Sequence, residues 1–177
     1  MLERLWAGWR SEYVSTAAEQ VGKDAQAGSC VFCVLAEHGA SAESGVVFLD
    51  DISMCILNGF PYGSGHLLIL PRRHESDLTS LDNSEADGLW RTARKAVRAI
   101  EQAYSPDGIN LGANLGQAAG AGIPAHLHLH ALPRWSGDTN FMTSIAETRV
   151  IPESLETTWH RVSSAWTQID ADGQSPG

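Results

Sequence analysis

Apolar residues in the middle of the chain fall into short runs bounded by turn-forming residues. Val46–Leu49, 54–57 and 66–70 are such runs, separated by Asp50-Asp51 and by Asn58-Gly59-Phe60-Pro61-Tyr62-Gly63-Ser64-Gly65. Runs of this length, punctuated by Asp, Asn, Gly and Pro, predict strands joined by turns. Between Asp82 and Tyr104 the period changes. Ala86, Leu89, Ala93, Val97, Ile100 and Tyr104 recur every three or four residues, the spacing that lines one face of a helix. Asp82 followed by Glu85 has the form of a capping box, and Ser105-Pro106-Asp107-Gly108 ends the run. Alternation returns in 109–114 and in 125–132, which predict two more strands with a glycine-rich loop between them. Leu155, Trp159, Val162 and Trp166 follow Pro152 and predict a second main helix.

Strands in runs with one long helix inserted give an α+β domain on an antiparallel sheet, not a repeating βαβ unit. The 177 residues suit a single core. They divide into an N-terminal arm (1–29), a folded domain (30–168) and a disordered tail (169–177).

Composition narrows the function classes. Hydrophobic residues at 43% and charged residues at 19% are those of a folding domain. A net charge of −9 argues against a nucleic-acid polymer as partner, because such binding draws on Lys and Arg neutralising many phosphates. A small nucleotide needs just a local cluster, and Arg72, Arg73 and Arg134 flank the histidine motifs. No apolar run approaches the roughly 18 residues of a membrane span, and the first residues lack the apolar core of a signal peptide. The expected location is therefore cytoplasmic, with no membrane partner. Three cysteines make a disulfide framework unsuitable and leave Cys30-Val31-Phe32-Cys33 as a metal or redox pair. Cys55, inside an apolar run, reads as a buried small hydrophobe. His38 and His160 lie outside every motif and read as solvated.

The segment His126-Leu127-His128-Leu129-His130 carries the chemistry. In a strand, alternate side chains share a face, so three imidazoles line one side while two leucines enter the core. A one-residue slip would exchange the two sets, which the apolar pattern forbids. Three uses of such a row remain open from the residues alone: a solvated face, a pair of metal-binding imidazoles, or a nucleophile with flanking phosphate-binding rings. An unperturbed imidazole, with a pKa of about 6.5, is roughly three quarters neutral and so nucleophilic at pH 7. A central nucleophile also needs its proton held on the nitrogen facing away from phosphorus, a task for a backbone carbonyl. In the loop before the row, Gly120 and Gly122 would let backbone amides approach phosphate oxygens. An ordinary turn explains them as well.

Two blocks, Gly65-His66-Leu67-Leu68-Ile69-Leu70-Pro71-Arg72-Arg73-His74 and His126-Leu127-His128-Leu129-His130-Ala131-Leu132-Pro133-Arg134-Trp135, resemble the signature blocks of the histidine triad (HIT) family. Leu5-Trp6-Ala7-Gly8-Trp9-Arg10, Asn58-Gly59-Phe60-Pro61-Tyr62 and Gly137-Asp138-Thr139-Asn140-Phe141-Met142 extend the likeness to the branch of diadenosine tetraphosphate phosphorylases and hydrolases. The resemblance implies a five-stranded antiparallel sheet with two main helices, paired into a homodimer. It implies nucleotidyl transfer, with His128 attacking the α-phosphate and water or inorganic phosphate releasing the nucleotidyl-histidine intermediate. His66 and His130 would contact phosphates and Asn58 the ribose. Asn114 and Gln117, in a segment similar to the one before the triad, are further candidate phosphate contacts. Cys30, Cys33, His74 and His126 match the zinc ligands of zinc-bearing members, which makes Zn2+ a structural cofactor. A departure lies at Gly122-Ile123-Pro124-Ala125, where many members carry a glutamine or serine for the leaving group. Asp138 and Asn140 suit a structural turn or a ligand contact equally. The same resemblance admits a nucleoside phosphoramidate hydrolase, and a non-catalytic, zinc-stabilised nucleotide-binding module is the reading from outside the enzymes.

Overall fold

The computed structural model describes residues 30–138 and 153–173. The elements are α1 (Val31–Glu37), β1 (Val46–Leu49), β2 (Ser53–Leu57), β3 (Leu67–Pro71), α2 (Asn83–Tyr104), β4 (Gly108–Ala113), β5 (Leu129–Arg134) and α3 (Leu155–Gly173). The strands form one antiparallel sheet in the order β1-β2-β3-β5-β4. The 1–29 arm lies outside the described residues, as do Asn140 and the end of the expected tail. Among the described residues no helix is long and apolar enough to cross a membrane.

The period-two pattern of the strands separates two cores. Cys55, Leu57, Leu67, Ile69, Leu129 and Ala131 face α2 and α3, packing on Leu89, Ala93, Ile100, Val162 and Trp166. Val46, Met54, Ile56, Leu68 and Leu70 face the other way and are covered by Phe32 and Ala36 of α1. Truncating a buried Leu or Ile in either core to Ala would cost about 2–5 kcal/mol. The capping box of α2 is formed: the Asp82 carboxylate accepts from the Glu85 amide at 2.9 Å, and the Glu85 carboxylate accepts from the Asp82 amide at 3.0 Å. Arg73 grips the same Glu85 at 2.7 and 2.9 Å, which ties the end of β3 to the start of α2.

Three differences from the sequence reading have physical causes. Beside the two main helices the described residues hold a third, α1, which is too short to show a period; its buried residues are Phe32 and Ala36, one turn apart. The last helix runs to Gly173, past the boundary at 168, because Ile169 is buried and Asp170 pairs with Lys95 of α2. The histidine strand begins at Leu129, not at Ala125. In the β3–β5 register Ile69 faces Leu129, and two residues on Leu127 would face Pro71, which has no N–H to continue the ladder. His126 and His128 therefore precede the strand, and the Leu127 amide donates instead to the Glu75 carbonyl at 2.6 Å.

Gly65 sits at φ +75° just before His66, and an added Cβ would lie 2.8 Å from Cε2 of Tyr104 and 3.1 Å from Cγ of Pro133. Both the backbone conformation and the space demand glycine. Gly65→Ala should lower unfolding stability by about 1–3 kcal/mol, read as a shifted denaturant midpoint. An unchanged midpoint would mean that the turn before His66 has slack that the packing denies.

Candidate active site and metal centre

On the α1-covered side of the sheet five histidines meet the two cysteines at the start of α1. His126 is 1% exposed and His128 6%, so the row is a buried one and the solvated-face reading fails. Leu127 and Leu129 enter the helix-covered core as the alternation requires. Phe32 holds the first two rings from the α1 side, with ring centroids 5.6 Å from His126 and 5.5 Å from His128.

Backbone groups decide where the protons sit. His126 donates from Nε2 to the Pro71 carbonyl at 3.0 Å, so its Nδ1 carries the lone pair. That nitrogen lies 3.4 Å from the Cys30 sulfur and 3.8 Å from the Cys33 sulfur. His74 completes the group, its Nδ1 3.5 Å from the Cys33 sulfur. The four ligand atoms lie within 4.8 Å of one another. For an ion with bonds of about 2.3 Å to sulfur and 2.0–2.1 Å to nitrogen, the sulfur–nitrogen edge of a tetrahedron is about 3.6 Å. The observed separations fit this, and the cluster could hold a metal ion. Burial, then the neighbouring Cys30, push the Cys33 thiol up to about 11. A thiolate there calls for a cation beside it. Burial holds His126 below the usual imidazole value, with His74 and His128 adding to the effect.

His128 donates from Nδ1 to the carbonyl of His126 at 2.8 Å. Its lone pair is thereby on Nε2, the arrangement a nucleophilic imidazole needs. The third ring, His130, receives a different partner: its Nδ1 lies 2.9 Å from Nε2 of His66. His66 in turn accepts at Nδ1 from the Tyr62 amide at 3.1 Å. Asn58 sits opposite His66, with its amide nitrogen 3.3 Å from the same Nδ1 and its amide oxygen accepting from the Phe60 amide at 2.9 Å. The Tyr62 ring covers both imidazoles, 4.7 Å from His66 and 6.0 Å from His130 between centroids. His130 is held below the usual imidazole range by burial and then by His128.

A model of the HIT domain matches residues 40–137, more than half of the chain and all of this site except Cys30, Phe32 and Cys33. The chain belongs to the HIT domain family. It is 34% identical over 167 residues to an AP-4-A phosphorylase from Mycobacterium tuberculosis, a match covering 94% of this chain and 86% of that protein. It is also 34% identical over 95 residues to an asymmetrical bis(5'-nucleosyl)-tetraphosphatase from Schizosaccharomyces pombe, across 54% of this chain and 52% of the other. Among solved structures, a zinc-bound histidine triad family protein from Mycobacterium smegmatis superposes with a TM-score of 0.67 at 30% identity, covering 81% of this chain and 97% of that one.

The remaining family-like residues divide. Ala113 pairs with Leu129, so the register carried one step on sets Asn114 level with His128; its amide nitrogen lies 3.5 Å from the Gly120 carbonyl. Gln117 opens a short 3-10 turn and is exposed with Gly120 and Gly122, Gly120 at φ +92°. Ala121 is buried and Ile123 packs on the α1-side core, which anchors this loop beside the row. Two of the three arginines near the motifs are engaged by carboxylates. Arg73 is engaged by Glu75 and Glu85, and Arg134 by Asp138 at 2.6 and 2.7 Å and by Asn110 at 2.8 Å. Asp138 also accepts from the Trp135 amide, a contact within the turn after β5. Cys55 is fully buried, and His38 and His160 are exposed, as read from sequence. The groups that sequence reasoning missed are Phe32 and three backbone partners: the Tyr62 amide and the carbonyls of Pro71 and Glu75.

Metal analysis of the protein should return about one divalent ion per chain, and Cys30→Ser should remove most of it and lower thermal stability. Less than about a tenth of an equivalent in the unaltered protein after metal-replete expression would remove the metal centre.

Proposed function

We infer that this chain is a nucleotidyl-transferring enzyme that cleaves a phosphoanhydride of dinucleoside polyphosphates such as diadenosine tetraphosphate. The observation that carries the reading is the bond from His128 Nδ1 to the His126 carbonyl, because it leaves the Nε2 lone pair for phosphorus. His128 Nε2 forms a bond to the α-phosphorus, the bond from phosphorus to the bridging oxygen breaks, and its electron pair leaves with the polyphosphate. For diadenosine tetraphosphate this gives adenylyl-His128 and ATP. An oxygen of water or of inorganic phosphate then displaces the histidine, releasing AMP or ADP. His66 and His130 bear on the phosphates, Asn58 on the ribose, and Asn114, Gln117 and the amides at Gly120 and Gly122 on the remaining phosphate oxygens. The likeness to a phosphorylase along 94% of the chain favours phosphate as the second acceptor.

Zn2+ is the metal we assign to Cys30, Cys33, His74 and His126. Two soft sulfurs and two imidazole nitrogens at tetrahedral spacing suit it. All four positions are filled by protein, so its task is structural: it holds α1 and His126 against the sheet. We also assign a homodimer. β4 is an edge strand with Leu111 40% exposed, and α2 exposes Trp90 at 55%; an open edge and apolar surface favour a second copy.

Diadenosine tetraphosphate with inorganic phosphate should give ADP and ATP, and without it AMP and ATP. No product under either condition would leave the non-catalytic binding module in its place. His128→Ala should keep nucleotide affinity within about tenfold and lose nearly all turnover, because the placed lone pair of His126 faces the cysteines and that of His66 is taken by the Tyr62 amide. Acid-labile label from substrate radiolabelled at the α-phosphate should mark the unaltered protein and be absent from this variant. Turnover within tenfold of the unaltered protein, or label on another residue, would rule His128 out. Light scattering should report a mass near twice 19.0 kDa; a monomer at micromolar concentration contradicts the pairing.

A further inference from the structure

Cys30-Val31-Phe32-Cys33 has a second chemistry open to it besides metal binding. Cys30 is the residue just before α1 and Cys33 lies in its first turn, with the Val34 amide donating to the Cys30 carbonyl at 3.1 Å. Residues three apart on a helix have Cα atoms about 5 Å apart, inside the span of about 4.4–6.8 Å that a disulfide bridges. The side chains agree with the backbone. Both sulfurs lie beside one atom, Nδ1 of His126, at 3.4 and 3.8 Å, so the first turn of α1 already directs them to a common spot. Both cysteines are partly exposed and free. The third cysteine is in no position to compete: Cys55 is fully buried on the opposite side of the sheet, in the core under α2 and α3.

A divalent ion and a disulfide make exclusive demands on the same two sulfurs. A cysteine binds a cation as its thiolate. Once the sulfurs are bonded to each other both negative charges are gone, and His74 and His126 alone remain of the four ligands. Two neutral nitrogens fall short of the four donors a closed tetrahedral site needs. The His126 ring keeps its place in either state, because its Nε2 bond to the Pro71 carbonyl does not involve the cysteines. A bridge at a partly exposed helix start is also of the kind that thiols reduce readily.

We propose that Cys30 and Cys33 form a reversible thiol–disulfide site that takes low-molecular-weight disulfides as its oxidant, and that closing the bridge discharges the metal ion. The second half of this rests on the metal assignment above. One cysteine sulfur attacks a sulfur of the oxidant, whose S–S bond breaks, and the first thiolate of the oxidant leaves and takes up a proton. The other cysteine sulfur then attacks the protein sulfur of the mixed disulfide and displaces the second thiolate. The pair loses two electrons and two protons, and the oxidant becomes two thiols. Metal content thereby follows the ratio of disulfide to thiol around the protein.

The test compares protein loaded with Zn2+ and protein stripped by a chelator, each incubated without oxygen at pH 7 with excess glutathione disulfide. Metal release is followed with a chromophoric chelator alongside intact mass and thiol count. About one ion should leave each loaded chain as the mass of the denatured chain falls by about 2 Da, with peptide mapping placing the bridge between Cys30 and Cys33. A thiol reductant followed by Zn2+ should restore both mass and metal. Cys33→Ser should stop at one glutathione adduct on Cys30, and Cys55→Ala should behave as the unaltered protein. Thiols that stay free in both preparations, an adduct that persists on the unaltered protein, a bridge that involves Cys55, or a bridged chain that retains its ion would each overturn the inference. A protein that takes up no Zn2+ yet forms the same bridge would support the thiol–disulfide site and overturn the metal assignment alone.

Discussion

Three backbone groups govern the proton positions in the imidazole cluster: the carbonyl of Pro71 for His126, the carbonyl of His126 for His128, and the amide of Tyr62 for His66 and, through it, His130. An imidazole in water exchanges its proton between two nitrogens freely, and a site built on such rings would spend part of its time in the wrong form. Burial makes a backbone partner decisive here, because an unmet donor or acceptor costs about 1–3 kcal/mol in a low-dielectric interior. The register of β2, β3 and β5 brings each backbone group into reach, so the sheet acts on the chemistry by positioning main-chain dipoles.

His126 belongs to both halves of this arrangement. Its ring turns Nδ1 to the cysteines while its own carbonyl orients the ring of His128. The cluster that could hold a metal ion and the orientation of His128 are thus built on one residue. Arg73 supports the assembly from the side, since its grip on Glu85 and Glu75 steadies the loop that carries His74 and offers the Glu75 carbonyl to Leu127.

Much of this was legible in the amino-acid sequence. The alternation of His and Leu at 126–130 indicates which side chains share a face, and the apolar period of 82–104 with Asp82 and Glu85 indicates a capped helix; both are present. The likeness to the histidine triad blocks named the Cys30, Cys33, His74, His126 set, and the structure brings those four together. What stayed hidden depends on the third dimension. A ladder that stops because Pro71 would face Leu127 requires the register of two strands distant in sequence. The engagement of Arg73 and Arg134 by carboxylates depends on where Glu85 and Asp138 fold, which their proximity to the motifs does not tell. Backbone donors and acceptors such as the Tyr62 amide leave no mark in residue identity at all.

The shortness of α1 has a consequence for how this part of the molecule opens. Seven residues make about two turns, too few to persist in water without tertiary support, and no side chain bonds the helix start at Cys30. Phe32 and Ala36, with the partly buried Val31 and Leu35, supply its apolar contacts, and the thiols of Cys30 and Cys33 would add to them by way of the ion they would share with His74 and His126. Without that ion the helix is held by a few apolar side chains, and its opening free energy falls well below that of the sheet. Amide exchange in 31–37 would then be a local gauge of metal loading, fast in the stripped protein and slow in the loaded one, while α2 and the central strands exchange alike in both.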